Sequence, residues 1–295
     1  MIKLLWNTQN QKKTNSKTTN GTKEERDYIW GLYHKNHSNN WIFEILAKVK
    51  FKEIQNEKDL ESSDSLIIID SSIEEKIEYY EKLKLICSKI YLIHLGDESG
   101  IYDLSSIYKK CDYVWRVFCS NKYFNNPKVT CIPLGYKSGT TLNSLKTKRK
   151  YKWAFIGTPH KSSRHDLLFQ LSDINPSFVH KTSKFNVKII EVDEMSKILS
   201  STDFIPCPNG FVHPESYRLY EALECECIPI TESTYKYYDR FFPNNPFPKV
   251  DKWSEAKNII KSWGDEKINK KREECKKWWT EYKNKLQDFV KNKVN

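Results

Sequence analysis

DFIPCPNGFVHPESYRLYEALECECIPIT, residues 203–231, is the stretch that decides the fold. Its apolar start, ending near Cys207, has the pattern of a buried strand. Pro208-Asn209-Gly210-Phe211-Val212-His213 then turns the chain. Pro214 suits the first turn of a helix, where its missing N–H costs nothing. A helix is therefore expected over 215–224, with Glu215 and Ser216 in its first turn, and Ile228-Pro229-Ile230 opens the next strand. Strand, loop, helix, strand is the unit of an open α/β sheet, and such sheets bind ligands at the carboxyl ends of their strands. A helix start in that place offers free N–H groups and the positive end of its dipole to a phosphate. At about 100° per residue, Arg218 lies roughly 60° from Glu215, and Glu221 roughly 60° beyond it. Leu219, Tyr220 and Leu223 fall on another arc, expected to face the core. A guanidinium so placed can clamp a diphosphate with two N–H groups. A carboxylate further along can accept both hydroxyls of a ribose. The plainer alternative is a surface pair between Arg218 and Glu221 at i, i+3, worth about 0.3–0.5 kcal/mol.

Outward from this unit, short apolar runs alternate with helical patterns. Strands are expected over 2–6, 66–69, 90–95, 113–118 and 129–133, then over 153–156, 187–192, 204–207 and 227–231. Amphipathic helical stretches lie over 73–87, 164–172 and 215–224. Near-continuous Ile, Leu and Val marks buried parallel strands, and their alternation with helices marks βαβ units. Residues 137–150, KSGTTLNSLKTKRK, are polar and aperiodic, as a linker between two α/β halves would be. Residues 7–25 are long for a βα connection. They are expected to form a surface loop, either simply disordered or lying over an acceptor site. Beyond Asp265, Ile268, Trp278, Trp279, Tyr282, Leu286, Phe289 and Val290 recur at the spacing of an amphipathic helix. That aromatic stripe is expected to pack on the protein's own body, with peripheral membrane contact as the alternative. The division expected is 1–140, 150–262 and a terminal helix over 263–295.

The chain has 295 residues, which suits two domains, and 38% hydrophobic with 14% aromatic residues supports real cores. A net charge of +11 admits nucleic acid, an anionic membrane face or a phosphate-bearing substrate. Lys alternates with acids, however, as in Lys270-Lys271-Arg272-Glu273-Glu274, and a solvated mixed-charge surface has that pattern. None of the 8 Cys forms a CxxC pair, and Cys225-Glu226-Cys227 comes nearest. No zinc site is expected. Cysteines inside apolar runs behave as small buried hydrophobes, reduced and intracellular. No run reaches the roughly 18 apolar residues that span a bilayer. The start of the chain is too short for a signal-peptide core, so a cytoplasmic protein is expected.

The runs 204–210 (FIPCPNG), 215–223 (ESYRLYEAL) and 227–230 (CIPI) together resemble the donor-site motif of exostosin-like glycosyltransferases and of the related ribitol-phosphate xylosyltransferases. Glu226 stands where those families usually have Gly, which puts the turn before the strand in question. Phe155-Ile156-Gly157-Thr158 followed by Arg164 is similar to the element that opens their second domain. His94-Leu95-Gly96-Asp97-Glu98, Arg116 and Ile132-Pro133-Leu134-Gly135-Tyr136 look like their first-domain strand ends. The resemblance implies the GT-B type of α/β fold, two Rossmann-like domains facing across a cleft. It implies a nucleotide-sugar donor, UDP-linked as first choice, at Gly157, Arg164, Asn209, Gly210, His213, Glu215, Ser216, Arg218 and Glu221. The plainer readings are an ordinary βα turn at Gly157 and a solvated Arg164. No other cofactor and no metal are expected, since the chain lacks the Asp-x-Asp triplet of metal-dependent transferases and two guanidiniums can stabilise the leaving nucleotide.

Asp97 and Glu98 follow an apolar strand on a Gly turn and are expected to point into the cleft. One of them would deprotonate the acceptor hydroxyl of an inverting transfer. The alternative is that they only turn the chain ahead of a helix near Asp103. His94 is expected to be a core histidine, whereas His213 is placed to touch phosphate or sugar. The acceptor implied is a glycan, glycoprotein or lipid-linked sugar, in a bacterial cell or a virus-infected host cell. Two other readings stay open: a basic nucleic-acid-binding protein, although the aromatics follow core periodicity, and an inactive scaffold of the same fold.

Overall fold

A computed structural model describes residues 1–7, 23–142, 149–183 and 190–295, with the side chains of 23–30 left aside. The chain forms two compact units, Met1–Leu134 with Leu286–Asn295, and Gly135–Lys285.

Unit 1 runs β1 (Ile2–Trp6), α1 (Lys23–Ile45), β2 (Lys52–Ile54), β3 (Ser65–Asp70), α2 (Ile77–Ile86), β4 (Lys89–His94), α3 (Ser105–Tyr108), β5 (Tyr113–Arg116) and β6 (Val129–Cys131). Its six strands are all parallel, in the order β2-β1-β3-β4-β5-β6. Leu66 and Ile68 of β3 pack with Leu92, Val114, Tyr80 and Leu83 in one core. Ile67 and Ile69, on the opposite face, are buried as well. Burial of both faces is why these strands are apolar at every position.

Unit 2 runs β7 (Tyr151–Gly157), α4 (Arg164–Gln170), β8 (Ser177–Lys181), α5 (Val192–Ser200), β9 (Thr202–Cys207), α6 (Tyr217–Glu224), β10 (Ile228–Glu232), α7 (Tyr237–Phe241), β11 (Lys249–Val250), α8 (Trp253–Ser262) and the greater part of α9 (Asp265–Val294), whose end from Leu286 belongs to unit 1. Its parallel sheet has the order β11-β10-β9-β7-β8. Its core gathers Trp153, Phe155, Phe204, Ile228, Trp253 and Ile268. Counted from its own first strand, each sheet starts 2-1-3-4-5. The order therefore reverses once per unit, between β1 and β3 and between β7 and β9. Ligands of doubly wound sheets bind at such reversals.

The α/β class with two parallel sheets is as expected. Three strands carry no sequence pattern, β2 (KEI), β8 (SFVHK) and β11 (KV), and all three are sheet edges. Of the strand expected over 187–192, positions 187–189 lie outside the described residues, 190 and 191 are not strand, and Val192 opens α5 instead. Most of the loop expected over 7–25, and positions 143–148 of the linker, also lie outside them. In α9, Ile268, Cys275, Trp279, Leu286 and Val290 are buried. Trp279 Nε1 donates to Glu224 Oε2 at 2.9 Å, so the aromatic stripe packs on the protein itself. Among the described residues no helix is long and apolar enough to cross a membrane. All eight cysteines are free, and seven are buried.

Candidate functional site

At the reversal in unit 2, β7 ends on Gly157 with φ +142. A side chain there would begin 2.9 Å from Arg218 Nη2, and L residues rarely adopt that φ. Arg218, in the first turn of α6, donates from Nη2 to Ile156 O at 3.0 Å and lies 5.0 Å over the Phe155 ring. Arg164, at the start of α4, donates from Nη1 to Thr158 O at 3.0 Å. The two guanidiniums thus hold the carbonyls on either side of Gly157. Burial, then the charge of Arg218, pushes Arg164 down to about 10. Burial lowers Arg218 as well. Among the described residues neither is ion-paired to a carboxylate.

The loop after β9 is fixed by its backbone. Asn209 N donates to Glu232 Oε2 at 2.6 Å, and Asn209 O accepts from Ser162 Oγ at 3.0 Å. Gly210 N donates to Pro214 O at 3.2 Å, and a Cβ on Gly210 would fall 2.3 Å from His213 O. Only glycine fits a loop this tight. His213 Nδ1 accepts from Glu215 N at 3.2 Å, and its ring meets Tyr237 edge-on at 4.7 Å. Asn209, Gly210 and His213 therefore shape the approach to α6.

The helix opens at Tyr217 rather than at 215, with Ser216 as an extended N-cap that makes no side-chain cap bond. This overturns the expected place of Glu215. Lying ahead of the helix, it is out of helical phase and only 2% exposed. Its carboxylate accepts from the Tyr220 hydroxyl and, at 2.9 Å, from Tyr237 OH, so it anchors the core instead of lining the ligand flank. Nor do Arg218 and Glu221 form a surface pair, because Arg218 turns to Ile156 O. Glu221 is 7% exposed, and its Oε1 has no partner. Burial holds its carboxyl above the usual range, against the pull of Lys137 and then Arg218. Ser216 Oγ and Arg164 Nε are also buried without partners. Orphaned polar atoms of this kind are rare because each is destabilising.

In unit 1 the two expected bases part company. Asp97 adopts φ +58, and its enclosed carboxylate accepts from the fully buried Arg116 Nη2 at 3.3 Å. Arg116 also donates to Tyr108 OH and Phe118 O, each at 3.2 Å. Asp97 therefore does not project as expected, whereas Glu98 is exposed. His94 is buried with Nδ1 2.8 Å from Tyr108 OH. Burial, then Arg116, holds its imidazole well below the usual value, so it is a neutral core histidine.

Two features escaped the sequence reading. Asp70, at the end of β3 beside the reversal in unit 1, accepts from Asn7 Nδ2 (2.5 Å), Lys76 Nζ (2.8 and 3.0 Å), Tyr80 OH (3.2 Å) and Ser72 N (3.2 Å). A small cleft beside it is lined by Trp6, Asn7, His34 and Ser71. The only signal was an acid closing the run SLIIID. The second is Lys137, whose Nζ stands 5.7 Å over the Tyr217 ring. In sequence it is merely the first residue of a polar linker.

Topology and site together define a two-sheet α/β protein whose second sheet carries an anion-suited reversal point. Residues 136–294, more than half of the chain, match the family model described as RXYLT1 C-terminal domain. The chain belongs to this family of RXYLT1-like glycosyltransferases. Among solved structures it is similar to an α1,3-fucosyltransferase, with TM-score 0.47 and 14% identity over 92% of this chain and 80% of that one. No curated protein matches it.

Proposed function

We propose that the chain transfers a sugar from a nucleoside-diphosphate sugar to a glycan, glycoprotein or lipid-linked acceptor, with inversion and without a metal ion. One observation carries this reading. Arg164 and Arg218, two like charges bound to carbonyls and not to carboxylates, flank Gly157, with Arg164 Nε, Ser216 Oγ and Glu221 Oε1 unpartnered on the same two helices. A diphosphate brings what the two guanidiniums and the Ser216 hydroxyl lack, namely negative charge and acceptors for their N–H and O–H groups. The same guanidiniums then stabilise charge on the leaving nucleotide, work that a metal ion does in other transferases. Glu221, one turn into α6, is placed for the hydroxyls of the ribose. UDP is the first nucleotide to try, following the exostosin-like resemblance. Glu98 is the member of the acid pair left to act as general base on the acceptor hydroxyl.

Titration calorimetry with UDP, GDP, CDP and ADP tests the reading. Micromolar binding of one of them, unchanged by EDTA, is the expected result. Binding that needs Mn²⁺ or Mg²⁺ sinks the metal-free mechanism. No nucleotide binding, with tight binding of single-stranded nucleic acid, favours the basic-binder alternative.

A further inference from the structure

We propose that Lys137 is a positioning residue of the donor site, holding the Glu221 carboxylate ready to accept both hydroxyls of a ribose. The inference rests on the donor-site reading above and adds a residue to it. Lys137 Nζ stands over the ring of Tyr217 at 5.7 Å. Tyr217 and Glu221 are four residues apart on α6, so they are neighbours on one stripe of the helix surface. Lys137 Nζ is therefore seated on the residue one helical turn before Glu221. The intrahelical cation is partly engaged, Arg218 Nη2 donating to Ile156 O, and it holds the Glu221 carboxyl down less than Lys137 does. Glu221 meanwhile presents a buried, unpartnered Oε1.

Two hydroxyl donors need a carboxylate, since a protonated acid has spent one oxygen on its own proton. The charged and titratable groups around Glu221 are few. Lys137 comes from the segment ahead of β7, Arg218 and Cys225 from α6 and its end, and Cys207 from β9. Burial pushes both thiols far up, so they stay neutral. Burial also raises the Glu221 carboxyl, and Lys137 is the larger of the two opposing influences. Because the ionised form binds, affinity for a ribonucleotide holds above the Glu221 pKa and falls as pH drops through it. Without Lys137 that pKa rises further, and the fall begins at higher pH.

The test is binding of UDP and GDP, each beside its 2′-deoxy form, from pH 5 to 9, to the parent chain and to Lys137→Met and Lys137→Arg. The parent should prefer the ribo form about tenfold or more, the worth of one hydrogen bond to a charged group. Lys137→Met should lose that preference at a higher pH than the parent does and regain it as pH rises further, while Lys137→Arg keeps the parent's profile. Equal weakening of both forms makes Lys137 a phosphate contact or a structural residue and overturns the proposal. An unchanged ribo preference at every pH overturns it too. Should the parent bind none of the nucleotides, the donor-site reading itself fails, an outcome distinct from a failure of Lys137 alone.

Discussion

The two sheets share a strand order, yet they treat charge at their reversal points in opposite ways. Among the described residues of unit 1, the buried acids at the strand ends meet cations, although Asp97 Oδ1 stays without a partner. Asp70 takes five hydrogen bonds from four residues, Lys76 among them, and Arg116 meets Asp97. In unit 2, Arg164 and Arg218 share one strand end with only carbonyls as partners. A shared strand order thus supports paired charges in one place and two like charges without a counter-charge in the other. Unfinished charge is the better mark of a ligand, because a fold has no reason of its own to hold two cations together. The difference can be broken by mutation.

The largest effects belong to the acid pair of unit 1. Asp97→Asn keeps the shape and tolerates the positive φ, but it leaves Arg116 buried without a counter-charge. A loss of about 3–5 kcal/mol in unfolding free energy is expected. Glu98→Gln should leave stability alone and lower the transfer rate about 10²–10⁴-fold, the usual share of a general base. Urea unfolding beside steady-state kinetics separates the two. A stable Asp97→Asn protein that binds donor but does not turn over would reverse the assignment.

Arg218→Ala probes the other side of the comparison. Nucleotide affinity should fall by about 1.5–3 kcal/mol, a charge-assisted contact, with the melting temperature nearly kept because a like-charge repulsion also disappears. If the protein unfolds instead, Arg218 is a core residue like Arg116 and the contrast between units collapses. Gly157→Ala is expected to act through the same guanidinium. Its methyl would displace Arg218 from Ile156 O, and the strained φ would cost of order 1–3 kcal/mol of stability. Reduced affinity together with reduced stability, against affinity alone for Arg218→Ala, is the pattern to look for.

What the sequence discloses follows the same physical line. Strands β3, β4, β7 and β9 were legible because burial on both faces forces continuous apolar runs. Edge strands β2, β8 and β11 are short and half solvated, so they carry charges and no pattern. Gly157, Arg164 and Arg218 stand at a strand end or helix start, where position can be counted, and Glu221 follows one turn after Tyr217. Glu215 was misplaced because Pro214 fits a first helical turn equally well, and a two-residue error in the start takes Glu215 out of helical phase while leaving Arg218 and Glu221 in theirs. Lys137 works through Tyr217, far along the chain, and Asp70 reaches Asn7 as well as its neighbours Ser72, Lys76 and Tyr80, a combination no single local pattern encodes.

The smallest effect tests whether the turn after α6 is strained. Glu226 occupies the left-handed region, φ +55, just past the C-cap Cys225, where helices usually end on glycine. A side chain there costs roughly 1–2 kcal/mol. Little on Glu226 offsets this. Its carboxylate pairs with Lys276 at 2.8 Å, but the partner is 46% exposed and such pairs contribute little. The stronger bond, from Arg149 Nη2 to Glu226 O at 2.8 Å, uses the backbone and survives substitution. Glu226→Gly should therefore stabilise the protein by about 0.5–1 kcal/mol, the strain relieved less the added freedom of the unfolded chain. Asp97 has nearly the same φ, +58, yet its side chain makes the buried bond to Arg116, so Asp97→Gly should destabilise. Denaturation midpoints at constant m-value give both signs. If Glu226→Gly also destabilises, the Lys276 pair outweighs the strain and the two left-handed residues are alike after all.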